Sequence, residues 1–279
     1  MTLNNENYYT FEADHAFCSA SQFLDFVGRP LYPACEERAV AKYKGEYVQE
    51  ITKAMLIGSI LDSLWEGCDS NELLERFPDC VSTRGSTKGQ LKSEYLIALR
   101  MYERTLKDPT FAKLMSGNKQ TIMTGNIEGL PFKIKMDSYV EGICITDLKT
   151  TKDSSMDCRY YIPDSGERLP FYLAMAYDVQ LAIYREIVRQ NTGDTLRCYL
   201  ATIDKNDHPL PLTLELEPPV LDKALEYVKS KVNYVTMLRN GEIKNLARCG
   251  FCDFCRDTAV CQIISTSEFE THDVPQNAI

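Results

Sequence analysis

No stretch of the 279-residue sequence approaches the ~20 consecutive apolar residues of a membrane-spanning helix. The first residues, MTLNNENYYTFEAD, are polar and acidic and lack the basic and apolar regions of a secretory leader, so a cytoplasmic protein is expected. Excess positive charge is also missing. The net charge is -9, which speaks against a protein that coats nucleic acid non-specifically through lysine and arginine. It leaves room for an enzyme with one basic groove and metal-binding acids. There is no Walker motif (G-x4-G-K-S/T), no internal repeat and no low-complexity tract. Histidine is scarce: His15, His208 and His272 match no ligand or triad spacing.

Cysteine is abundant, with 11 in the chain. Cys18, Cys35, Cys68, Cys80, Cys144, Cys158 and Cys198 are scattered, whereas Cys249, Cys252, Cys255 and Cys261 crowd together. An odd total with one tight group is unlike a disulfide framework and suits a metal site in a reducing compartment. By spacing alone, C-x2-C-x2-C-x5-C fits structural Zn²⁺ and a [4Fe–4S] cluster equally. Cys18, Cys68, Cys80, Cys144, Cys158 and Cys198 are read as small buried hydrophobes.

Along the chain, residues 1–20 form a polar lead-in. Helices are expected over 21–27, 36–50, from a Thr52 cap to about Trp65 with Gly67 just past its end, and over 90–106, stopped by Asp108-Pro109. Residues 120–149 change character. Phe132, Ile134 and Met136, then Ile143 and Ile145, alternate with period two around turns at Glu128-Gly129 and Glu141-Gly142, which predicts an antiparallel three-stranded meander. A long helix over 167–191, strands at 195–203 and 209–217 and a last helix over 219–240 follow. This order predicts an α+β protein with a central mixed sheet flanked by helices. A single domain over 1–279 is expected, with a mainly helical part (1–115), a catalytic part (116–245), a cysteine-rich segment (246–263) and a flexible tail (264–279).

The Glu141-Gly142 turn makes neighbours of the segments carrying Asp137 and Asp147. Lys149, two residues beyond Asp147 on a strand, points to the same face. Paired hard carboxylates suit Mg²⁺ (or Mn²⁺), and a lysine beside them can position or deprotonate a water and neutralise developing charge. A bare D-x9-D-x-K pattern arises often by chance. Here it continues into Thr150-Thr151, and MDSYVEGICITDLKTT resembles the core of the RecB-like branch of PD-(D/E)XK nucleases. Gln180-x3-Tyr184, SASQFLDFVGRPLYPAC, GSILDSLWEG and CGFCDFCRDTAVC resemble further motifs of that branch, in order, over roughly residues 19–261. Within it the spacing most resembles RecE-type exonucleases of phages and prophages.

The resemblance implies a restriction-endonuclease-like fold. It also implies a metal-dependent deoxyribonuclease with Asp137, Asp147 and Lys149 as catalytic core, acting on linear duplex ends from the 5′ end in phage-type recombination. A single-strand annealing partner and a homo-oligomer go with that activity. A single-strand or CRISPR-type nuclease and a catalytically silent DNA-binding module are the alternatives. Relatives usually carry His where this chain has Asp62, and aspartate can replace it as a hard ligand beside Asp137 and Asp147. Gln180 and Tyr184 are implied to orient the site and contact DNA, with Thr150 next to the catalytic lysine. An iron–sulfur cluster on Cys35, Cys252, Cys255 and Cys261 is implied, against Zn²⁺ on the four terminal cysteines, Cys249 included, or free thiols. Arg84 and Lys88, with Lys92, are candidates for DNA phosphate, as are Lys152 and Arg159. A solvated surface explains each equally.

Overall fold

The computed structural model describes residues 1–261 together with 263, 265 and 266, so the expected tail lies almost entirely outside the described residues. In chain order the elements are α1 (Phe11–Ala16), β1 (Cys18–Ser19), α2 (Ala20–Val27), α3 (Glu36–Tyr43), α4 (Lys53–Glu66), α5 (Ser70–Arg76), α6 (Ser93–Leu106), α7 (Pro109–Leu114), β2 (Thr121–Ile127), β3 (Leu130–Met136), β4 (Ser138–Val140) and β5 (Cys144–Thr151). Then come β6 (Arg159–Ile162), β7 (Glu167–Pro170), α8 (Phe171–Ala174), α9 (Tyr177–Thr192), β8 (Arg197–Asp204), β9 (Pro211–Leu216), α10 (Pro218–Arg239) and α11 (Asp253–Asp257).

The expected α+β architecture is present. A mixed sheet runs β4-β5-β8-β9, with β5 and β8 parallel and the outer pairs antiparallel. Helices α8 and α9 make the crossover between the parallel strands, as a parallel pair requires. A second sheet, β1-β3-β2, adds a short strand parallel to β3. No described helix is long and apolar enough to cross a membrane.

Local chemistry sets the helix limits. The Thr52 hydroxyl accepts the Met55 N–H at 3.2 Å and Gly67 closes α4 in the left-handed conformation, as its sequence predicts. Asp108-Pro109 ends α6 but also starts α7, since the Asp108 carboxylate accepts the N–H groups of Thr110 and Phe111 and Pro109 stands in the first turn.

Three expectations need correction. The helix expected over 36–50 ends at Tyr43. The helix expected over 167–191 is strand β7, paired with β6, followed by α8 and α9 with a break at Ala176 (φ 56). The meander is divided: β2–β3 and β4–β5 belong to different sheets. The division falls at Asp137, whose carboxylate, rather than a backbone carbonyl, takes the Leu148 N–H at 2.8 Å. The polar lead-in carries α1 and β1 and buries Tyr8.

The mixed sheet separates two apolar clusters. Phe23, Phe26, Phe132, Leu181, Leu200 and Val228 fill the side of α2, α9 and α10. Ile60, Leu61, Met101, Phe111, Leu148 and Ile203 fill the side of α4, α6 and α7. Truncating one of these buried side chains to alanine costs ~2–5 kcal/mol. The layers hold α4 on one face of β5 and α9 on the other.

Candidate active site

Asp137 and Asp147 stand opposite one another. The β4–β5 register pairs Ser138 with Thr146, and one step further along the hairpin brings these two acids level. Asp147 is 2% exposed in the middle of β5, within a sheet interior where an unpaired charge is costly. Its Oδ1 accepts the Gln180 side-chain N–H at 2.8 Å, and Lys149 Nζ lies 2.6 Å from Oδ2. The Gln180 amide also reaches the Tyr184 hydroxyl at 3.1 Å, which in turn donates to the Lys135 carbonyl at 3.1 Å. Gln180 and Tyr184, one turn apart on α9, thus fix the orientation of Asp147.

Asp62 reaches the same place from α4. It lines a cleft of about 330 Å³ together with Asp137, Asp147, Lys149, Gln180 and Tyr184. Gly58, one turn earlier, faces β5: a methyl added there would stand in ordinary contact, 3.6 Å from Thr150 Oγ1. Thr150 therefore packs under α4 rather than into the cleft. An adjoining cleft is lined by Asp62, Glu66, Arg76, Gln120, Lys135 and Asp137.

The electrostatics are those of crowded like charges. Burial, then Asp147, push the Asp137 carboxyl up to about 7 against the opposing pull of Lys149 and the Leu148 N–H. Burial and Asp137 likewise hold the Asp62 carboxyl well above the usual carboxylate range, with Lys149 opposing. Burial alone would lower the Lys149 ammonium, but Asp147 and Asp137 outweigh it and raise it, so it remains cationic.

These residues fit a divalent cation. Three hard carboxylates converge on the cleft, where Lys149 Nζ stands 2.6 Å from the buried Asp147 Oδ2, and hard oxygens grouped in this way are the donors that Mg²⁺ and Mn²⁺ take. A divalent ion would supply further positive charge against the mutual repulsion of Asp62, Asp137 and Asp147.

Several residues at the cleft went unrecognised in the sequence. Tyr8 and Tyr9 cover one wall, with Lys135 Nζ 4.9 Å from the centre of the Tyr9 ring. Lys133 is buried and bonds to the Tyr8 carbonyl at 2.5 Å and Asp14 at 2.7 Å. The signal was present: Lys133, Lys135 and Asp137 alternate, which puts them on one face of an extended chain, and Tyr8-Tyr9 interrupts a polar stretch. Arg84 and Lys88, by contrast, lie on an exposed loop and line neither cleft.

The thiols gather elsewhere. Cys35, Cys249, Cys252 and Cys255 have Sγ atoms all within 4.8 Å of one another. Cys261 does not join them and is exposed. Cys249 takes the place expected for Cys261, because the chain doubles back at Gly250 (φ 82) while α11 carries the residues beyond Cys255 away. Cys18, Cys80, Cys144, Cys158 and Cys198 are buried as expected, and Cys68 is half-buried.

Comparison with known proteins agrees with this geometry. The family model described as "PDDEXK-like domain of unknown function (DUF3799)" matches residues 19–258. The crystal structure of a "Putative exonuclease" from Eubacterium rectale is 35% identical, covers 98% of this chain and 100% of its own, and superposes with a TM-score of 0.88. The crystal structure of SSO0001 aligns at 12% identity over 71% of this chain and 85% of its own; its TM-score of 0.27 carries no argument. No curated protein matches. With the matched family spanning most of the sequence and the acid site in place, the chain belongs to the PDDEXK-like domain family.

Proposed function

We propose that this protein is a metal-dependent deoxyribonuclease that hydrolyses phosphodiester bonds from the ends of linear duplex DNA, in the 5′-to-3′ direction. The observation that supports this most is the convergence of Asp62, Asp137, Asp147 and Lys149 on one cleft. The similarity to a protein called an exonuclease supports the reading of chain ends as substrate.

In this reading Asp62, Asp137 and Asp147 hold Mg²⁺ or Mn²⁺. When bound there the ion offers charge neutralisation at phosphate and a more acidic water. The remaining chemistry belongs to the side chains. Lys149, kept cationic between two acids, donates to the attacking water or to a phosphate oxygen and offsets charge in the transition state. Gln180 holds Asp147 Oδ1 while Lys149 stands against Oδ2, and Tyr184 holds Gln180. The Leu148 N–H fixes one Asp137 oxygen and leaves the other to act. Water attacks phosphorus and gives up a proton to solvent, the P–O3′ bond breaks, and the departing 3′ oxygen takes a proton from solvent.

Residues 1–279 would then act as one cytoplasmic nuclease domain. A ring-shaped homo-oligomer would enclose the duplex, and the 3′ tail left behind would pass to a single-strand annealing partner in phage-type recombination. Incubating end-labelled linear duplex, nicked circle and single strand with Mg²⁺ tests this: rapid mononucleotide release from the 5′ ends of linear duplex is expected. Equal digestion of all three substrates would overturn the exonuclease assignment.

A further inference from the structure

The RecB-like resemblance implies an iron–sulfur cluster, and the four thiols that actually converge do not fit one. We propose that Cys35, Cys249, Cys252 and Cys255 form a closed, mononuclear Zn²⁺ site that fastens the N-terminal helices to the C-terminal segment.

The spacing between sulfurs decides between the two groups. Four thiolates around one Zn²⁺, each at ~2.3 Å in a tetrahedron, stand ~3.8 Å apart. Here Cys35 Sγ and Cys255 Sγ are 3.5 Å apart, Cys249 Sγ and Cys255 Sγ are 3.9 Å apart, and no pair exceeds 4.8 Å. In a [4Fe–4S] cluster each thiolate binds a different iron, and the whole inorganic cube lies between the ligands. Sulfurs this close leave no room for it. Nor is the group a pair of disulfides, since a covalent S–S bond is ~2.05 Å long.

The polypeptide around the sulfurs is shaped for tetrahedral thiolate binding. Backbone N–H groups of Cys249 and Arg38 bond to the Cys35 thiol, that of Cys255 to Cys252, and that of Gly250 to Cys255. Such outer hydrogen bonds orient ligands. The positive φ of Gly250, where a side chain would be strained, lets Cys249 and Cys252 face inward from one tight turn.

The surrounding contacts show what the site joins. Cys35 caps α3, and Cys252 caps α11 at the other end of the chain. Beside them, Glu36 is buried, accepts the Tyr234 hydroxyl of α10 and accepts the Ala247 N–H at 2.9 Å. Arg248 pairs with Glu37 at 2.8 Å and donates to the Cys255 carbonyl at 3.3 Å. With four protein ligands no coordination position is left for water or substrate, so the site holds structure rather than performing chemistry. It stabilises by binding the folded chain alone, as structural zinc does elsewhere.

The test is metal analysis of the full chain purified without oxygen, together with Cys249→Ser and Cys261→Ser variants. One zinc per chain, no visible colour, and no labile sulfide are expected. Cys249→Ser should lose zinc, whereas Cys261→Ser should keep it and melt at the wild-type temperature. Iron and labile sulfide in equal amounts would overturn the proposal, as would zinc loss in Cys261→Ser or a folded wild-type chain with no bound metal. Because Cys261→Ser and the wild type carry the decision, a misfolded Cys249→Ser does not obscure it.

Discussion

Two regions of this molecule gather metal-binding side chains, and they do so in opposite ways. At the acid site, oxygens come from a helix, a strand break and a strand interior, and burial pushes the like charges against one another. At the thiol site, four sulfurs from the two ends of the chain converge within 4.8 Å of one another. The acids are crowded by proximity and line a cleft; the thiols lie outside both clefts and offer four ligands to one closed site. A site built for turnover keeps crowded charge beside an open cleft, whereas a site built for stability closes its ligands on one another.

Substitutions can break this contrast, beginning with the largest effect. Asp147→Ala removes an acid held by both Gln180 and Lys149, and DNA hydrolysis should fall on the order of 10³-fold, with zinc content and melting temperature nearly unchanged. A comparable loss of stability instead would mean that Asp147 serves the core. Gln180→Ala should cost ~10–100-fold in activity or in Mn²⁺ affinity, the range for a residue that orients a metal ligand. A result within twofold of wild type would remove Gln180 from the site.

The pH dependence of stability sharpens the same contrast. The folded Asp137 carboxyl is raised to about 7, above its ordinary value of ~3.9. The folded state therefore favours the proton, and that stabilisation is present at low pH and lost as pH rises through about 7. Asn at this position carries no such charge. Without divalent metal, Asp137→Asn should melt higher than wild type at pH 8, by ~2–4 °C for each kcal/mol relieved, with a smaller gain at pH 5. Saturating Mn²⁺ should shrink the gain at pH 8 by stabilising only the wild type. A gain independent of pH in differential scanning calorimetry would argue against charge as the cause.

The smallest effect is expected away from both sites. Arg84→Ala with Lys88→Ala alters an exposed loop that lines neither cleft. If the loop touches DNA phosphate, the slope of log affinity against log salt should fall by about one to two. An unchanged slope would mark these residues as a solvated surface.

Much of the fold was legible because its signals are local. Thr52 and Gly67 bound α4, and the alternation of Phe132, Ile134 and Met136 marks β3. The Glu141-Gly142 turn sets Asp137 against Asp147. What escaped depends on contacts distant in sequence. The division of the meander follows from one carboxylate capturing one N–H eleven residues away. Strand β7 falls at the start of the run expected as helix because its partner β6 lies outside that run, and the left-handed Ala176 has no sequence marker. Cys249 and Cys261 flank the same C-x2-C pair. Only the path of the chain through Gly250 and α11 brings one to Cys35 and takes the other away. The role of Tyr8 and Tyr9 as a wall of the cleft depends on the lead-in folding back across β3.

The most direct test of the acid site is calorimetric titration of Mn²⁺ into the zinc-loaded protein, paired with digestion of end-labelled duplex by the same samples. Wild type should bind Mn²⁺ and degrade the duplex, and both properties should vanish together in Asp147→Ala while its zinc remains. Undiminished Mn²⁺ binding or digestion in that variant would contradict a cation held between Asp62, Asp137 and Asp147.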